Sequence, residues 1–321
     1  MPVMDFAPPS SLGFGRRLSA VSTFGLRFAE YWFYAPRHDM DSPPLSRRIR
    51  SEIAPSERLL NQVRQTISGL AGLGFLFVLG TLFVWSPRSG RTGWPEALLV
   101  LMTVLATLGA LSRSLPVPKI LFVTIVIGLL GGLAHGLGAT TAFPFGPFIY
   151  SEAIGPQYFQ ALAWPLPLLW IIVILNSRGV AKLMLRPWRK LRNYGYWLIG
   201  LTAILVVVFD LALEPFATRG NHYWLWLPTK FPYTWYGAPL VNFLGWLLTT
   251  LLILAFTTPA LTQKAARTKK NRTDYHPLVV WLLALVLFAT SAGQNQLWAA
   301  VGLDVLLGIA IAILAVRGAR W

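Results

Sequence analysis

Apolar runs of membrane-spanning length follow one another along this chain, and that succession limits the fold before any single residue is weighed. They fall near 67–85, 97–111, 120–137, 159–175, 196–213, 240–256, 278–292 and 297–316. A bilayer core about 30 Å thick takes about 20 helical residues. In lipid every backbone polar group must be satisfied internally, which leaves helices or a closed barrel. A barrel would show short alternating segments, and none is evident. Of the 321 residues, 55% are hydrophobic and 12% charged, whereas soluble domains carry about 25% charge. The expected fold class is therefore all-α, a polytopic membrane helical bundle with about eight transmembrane helices.

The net charge of +16 invites a nucleic-acid reading, but its placement argues for an orientation signal. Arg178, Lys182, Arg186, Arg189, Lys190 and Arg192 fall between the fourth and fifth runs. Lys264, Arg267, Lys269, Lys270 and Arg272 fall between the sixth and seventh. Cytoplasmic loops carry such an excess, so both loops and both termini are expected inside. The third-to-fourth and seventh-to-eighth connections lack Lys and Arg and are expected outside. Arg88 and Arg91 in the first outer loop run against this pattern.

Residues 1–58 carry eight arginines and no lysine. They read as a basic cytoplasmic tail, partly amphipathic near 18–34 and otherwise disordered. No basic, apolar and small-residue leader pattern precedes them, so this tail is expected to be mature chain. Residues 59–321 read as one transmembrane domain.

With that orientation the unusual residues collect at one level. Asp210 and Glu214, in the stretch FDLALEPFATRGNHYWLW (209–226), lie four residues apart at the outer end of the fifth run. On a helix they share a face. Ionisable residues inside a membrane are costly and are functional candidates by default. His135 lies near the outer end of the third run, Glu152 in the next outer loop, Asn242 one turn into the sixth run and Asp304 about two turns into the eighth. Plain alternatives exist for each: Glu214 as a headgroup-level cap, Asp304 and His135 as helix–helix packing groups. The same outer regions are aromatic, with Phe143, Phe145, Phe148 and Tyr150, then Tyr223, Trp224, Trp226, Tyr233, Trp235 and Tyr236. An interface belt accounts for part of this richness.

Several chemistries lack their residues. The chain has no Cys, which removes disulfides, thiolate metal sites and Cys nucleophiles. His38, His135, His222 and His276 are too scattered for an iron-dependent membrane hydroxylase. No glycine-rich turn joins a strand to a helix for a dinucleotide. Acids are too few for paired aspartate-rich magnesium–diphosphate motifs, and no Ser–His or Ser–Lys pair marks an intramembrane protease.

Two motifs go beyond composition. One is FPFGPFIYSEAIGP (143–156). The other is DLALEP (210–215), followed by YWLW (223–226) and GAPLVNFLGW (237–246). In this order and hydropathic setting they resemble the carotenoid biosynthesis membrane-protein family, over about residues 65–315. Its characterised members are carotenoid 1,2-hydratases, including the hydratase acting on bisanhydrobacterioruberin. The resemblance implies addition of water to the terminal C1–C2 double bond of an acyclic carotenoid, giving a tertiary alcohol without a redox cofactor, oxygen or metal. It places Asp210 and Glu214 on the family's acidic motif and Asn242 on its GxPxxNFxGW motif.

Hydration needs a protonated acid near neutral pH. Two carboxyls one turn apart in a partly dry site can hold one proton between them. Asp210 or Glu214 is the expected general acid, with its partner, Asp304 or His135 taking the proton from water. Phe143, Phe145, Tyr150, Glu152, Trp224, Trp226, Trp235, Asn242 and Trp246 are the expected substrate contacts. The expected partners are a lipid-soluble carotenoid, membrane lipids and other carotenoid-pathway enzymes, with no nucleic acid, at a multi-pass location in the cell membrane. Two alternatives remain open at this point: a carotenoid- or isoprenoid-binding scaffold or transporter, and a cyclase that starts from the same cation.

Overall fold

A computed structural model describes residues 94–229, 233–262 and 273–321, together with Gly72. The expected tail at 1–58, its helix at 18–34, all but Gly72 of the first run, Arg88 and Arg91, and the basic stretch 264–272 lie outside the described residues. Among the described residues the chain forms seven α-helices. They are α1 (Trp94–Leu111), α2 (Val117–Thr141), α3 (Pro165–Met184), α4 (Tyr194–Pro215), α5 (Leu240–Leu261), α6 (His276–Gln294) and α7 (Trp298–Ala319). The six from α2 to α7 are long and apolar enough to cross a membrane. The protein is an all-α polytopic membrane bundle.

α3 is the hub, packing against α1, α2, α4, α6 and α7. Its apolar window is 72% buried at a mean hydropathy of 1.5, whereas that of α7 is 22% buried at 2.6. The most lipid-like helix is thus the most exposed, because a side chain facing acyl tails must be apolar and one facing protein need not be. α2 shows the same division. Leu121, Ile125, Leu129, Leu133 and Leu137 form an exposed stripe at four-residue spacing, while Val123, Ile127 and His135 are buried.

Two expected boundaries are corrected. The run at 159–175 does not begin as helix: Gln157–Tyr158 (β2) and Leu162–Ala163 (β3) pair as a small hairpin. Phe159 and Gln160 turn it with positive φ, and Phe159 is almost fully exposed. The helix starts at Pro165, a residue suited to a first helical position because it has no N–H to leave unpaired. At its other end α3 continues through Arg178 and Lys182, so these two cations stand in the helix rather than in a loop. Hydropathy falls there, yet the neighbouring helices cover Arg178, while Lys182 stays exposed.

The connections at one end of the bundle are short strands. Phe148–Tyr150 (β1) pairs antiparallel with Trp224–Trp226 (β4), with Phe148 opposite Trp226 and Tyr150 opposite Trp224. Ser151 N–H to Tyr223 O (3.0 Å) and Leu227 N–H to Pro147 O (2.9 Å) extend the pairing. Thr234–Trp235 (β5) and Ala238–Pro239 (β6) form a third small pair. The two aromatic motifs, more than 70 residues apart, therefore make one ribbon across the helix ends.

Candidate active site

α4 carries Asp210 and Glu214 on one face, as their spacing dictates, and both are buried. The side chain that joins them comes from the first turn of α5. Asn242 Nδ2 donates to Asp210 Oδ2 at 2.7 Å and to Glu214 Oε1 at 3.1 Å. The second Glu214 oxygen, Oε2, accepts from two indoles of β4, Trp226 Nε1 at 3.0 Å and Trp224 Nε1 at 3.3 Å. Glu214 thus receives three N–H donors. Asp210 Oδ1 has no hydrogen-bond partner among the described residues.

Beside this cluster lies a small pocket lined by His135, Phe148, Tyr150, Glu214, Trp224, Trp226, Asn242 and Trp246. Its walls are aromatic and stacked. Phe145 lies over the His135 ring (4.5 Å between centroids), and Trp246 lies over Trp170 (4.1 Å). His135 Nδ1 stands 3.5 Å from the Tyr150 hydroxyl, and its buried Nε2 has no partner among the described residues. Burial raises the Tyr150 phenol above its ordinary value, so it remains a neutral hydroxyl.

Glycines let these rings close. A Cβ at Gly245 would stand 2.7 Å from Phe145 Cδ1 and from the Pro144 carbonyl oxygen, and one at Gly138 would stand 2.8 Å from Phe145 Cδ2. Real Cβ atoms do not approach so closely, so α2 and α5 reach the FPFG turn only without side chains at these positions.

A second, apolar cavity of about 120 Å³ runs between α1, α3, α4 and α6, with Leu166, Leu169, Phe209, Leu213 and Phe288 in its lining. Trp224 lines both cavities.

Of the expected residues, Asp210, Glu214, Asn242, His135, Tyr150, Trp224, Trp226, Trp246 and Phe145 come together. Four do not. Phe143 and Glu152 are exposed. Asp304 is buried in α7, with no partner for either oxygen among the described residues, and does not line the pocket. Trp235 serves the backbone instead: its Nε1 donates to Leu211 O at 2.9 Å. Pro215, four residues on, has no N–H for that carbonyl, and the indole replaces it.

Phe148 and Trp170 were not singled out as site residues. Phe148 shares the strand alternation of Tyr150. Trp170 had a signal of its own, being a tryptophan well inside an apolar helix and away from the interface belt. Among the described residues no three His, Asp or Glu side chains gather as a metal site.

These features define a multi-pass membrane protein with an acid–amide–indole pocket at one end of its bundle. The chain matches the carotenoid biosynthesis protein family over residues 95–314, and it belongs to that family. It is also similar to the bisanhydrobacterioruberin hydratase of Haloarcula japonica, 28% identical over 121 residues. That alignment covers 37% of this chain and 39% of the relative, so the chain spans well under half of the length of the curated protein it matches. No solved structure matches it.

Proposed function

We propose that this protein hydrates the terminal C1–C2 double bond of an acyclic carotenoid, without a cofactor, in the cell membrane. The observation that carries the reading is the buried Asp210–Asn242–Glu214 cluster opening on an aromatic pocket. Membership of a carotenoid biosynthesis family and the partial likeness to a hydratase support it.

In this reading the polyene lies in the apolar cavity and its end group passes Trp224 into the pocket. Glu214, the carboxyl in the lining, delivers its proton to C2. The alkene π electrons form the new C–H bond and leave a tertiary cation at C1. The faces of Trp224, Trp226 and Trp246 stabilise that cation, at about 1–2 kcal/mol per desolvated ring. Water attacks C1, and its surplus proton returns to the carboxyl pair or passes by way of His135. The net change is alkene plus water to tertiary alcohol. Asp210 stands one turn deeper, held with Glu214 by the two N–H groups of the Asn242 amide. Residues 59–321 act as a single membrane domain, with the basic tail 1–58 and the C terminus in the cytoplasm and the pocket toward the outer side.

The test is expression in a lycopene-accumulating host grown in heavy-oxygen water. Product heavier by one labelled water, with the label in a tertiary hydroxyl, is expected. An unlabelled isomer of unchanged mass would mean cyclisation, label drawn from dioxygen would mean hydroxylation, and unchanged lycopene with intact protein would leave a binding or transport role. Each of these three results overturns the reading.

A further inference from the structure

The opposite end of the bundle holds another cavity, of about 310 Å³, between the ends of α1, α3, α5 and α6. Arg178, Lys182, Arg186 and His276 line it, with Asp274 as its single carboxylate among the described residues. Arg178 is 4% exposed, yet its Nε and Nη1 meet no acceptor among the described residues. A buried guanidinium with idle donors is strongly unfavourable unless an anion completes it. Lys182 follows one helical turn later on the same face. Arg186 is fixed in the next turn by Nη1 donating to Thr273 Oγ1 at 2.6 Å. From α6, His276 Nε2 is also buried without a partner among the described residues. Asp274 is already engaged, its Oδ1 accepting the His276 backbone N–H at 3.0 Å. The rest of the wall mixes Thr107, Ser114, Asn176 and Thr273 with apolar side chains that include Leu111, Leu175 and Leu261.

We propose that this cavity binds the phosphate group of an anionic lipid. The planar Arg178 fork matches phosphate oxygens in pairs, Lys182 and Arg186 add charge at the rim, and the leucines receive the upper acyl chain. Basic recesses between helices at a membrane's charged face are suited to such headgroups. The site is independent of the carboxyl pocket and of the hydration reading.

Full-length protein in phosphatidylcholine nanodiscs is compared with protein in discs containing phosphatidylglycerol, by thermal unfolding and by native mass spectrometry of retained lipid. Phosphatidylglycerol is expected to raise Tm by about 5 °C, the shift a site-bound ligand gives when well above its Kd, and to be retained over phosphatidylcholine. Arg178→Gln should lose that shift. Lys182→Gln, at an exposed position that leaves folding intact, should at least halve it. A parallel sample in phosphatidylcholine receives inorganic phosphate. If phosphate alone gives the full shift and anionic lipid adds nothing, the phosphate site stands and its ligand is soluble. If neither probe moves Tm, or both variants keep the full shift and the retained lipid, the proposal is overturned.

Discussion

The bundle buries carboxyls at one end and a guanidinium at the other, and it surrounds them differently. Glu214 is met by three N–H groups and Asp210 by one, all from side chains on other elements. Arg178 is also buried, yet two of its nitrogens meet no acceptor among the described residues. The carboxyl end is organised in advance, with its donors already aimed. The guanidinium end is complete only with a ligand. In the proposed readings the two ends differ accordingly, with machinery at the donor-rich Asp210 and Glu214 and a docking site at Arg178.

The largest effect is expected at the pocket acid. Glu214→Gln keeps the shape and the indole partners' neighbourhood but removes the proton, and hydration should fall at least about 100-fold, the usual scale of a general acid. Product at wild-type level from folded Glu214→Gln protein, read by mass, would remove the mechanism. Asn242→Leu comes next. It strips the donor shared by both carboxyls and should cost about 1.5–3 kcal/mol in stability, as for hydrogen bonds to charged groups, together with most of the activity. The matching change at the other end has the opposite sign: Arg178→Met, in detergent free of anions, should leave Tm unchanged or higher, since an unpaired buried charge is replaced by a hydrocarbon of similar length. If the two variants lowered Tm alike, the contrast between the ends would be lost.

Trp226→Phe sharpens the comparison within the pocket. It keeps a ring beside the site but withdraws the 3.0 Å N–H from Glu214, and a drop of about tenfold in hydration is expected from a lost bond of this kind. Trp235→Phe should instead act on stability, by about 1 kcal/mol for the uncovered Leu211 carbonyl, with product formation nearly unchanged. A larger loss of activity than of stability there would return Trp235 to the substrate. The smallest effects belong to Glu152→Gln and Phe143→Leu, both exposed. Their turnover, measured in the same host, should stay within about twofold of wild type, as surface changes usually do.

What could be read without coordinates was local. Apolar runs gave α2 and α4 to α7 because each helix satisfies its own backbone. Four-residue spacing put Asp210 and Glu214 on one face because helical pitch is fixed. What escaped was decided by packing. Hydropathy ended the fourth run before Arg178, whereas α3 carries that cation inward because five helices cover it. Hydropathy also began that run at Phe159, where two positive-φ residues instead turn a hairpin. Trp235 and Trp226 looked alike in sequence, both tryptophans of one outer loop. Only the fold separates them, one onto a backbone carbonyl freed by Pro215 and the other onto Glu214.

By itself the sequence determined that the chain lives in a membrane as helices and that two acids share a helical turn. Both follow from interactions within a few residues of each other. The tertiary structure decided that Asn242 would bridge those acids, that Phe148–Tyr150 and Trp224–Trp226 would pair beside them, and that Asp304 would stand apart. Those outcomes depend on which side chains meet across helices. In lipid, where apolar surface alone does not select a neighbour, close contacts at glycines and the pairing of buried polar groups make that choice.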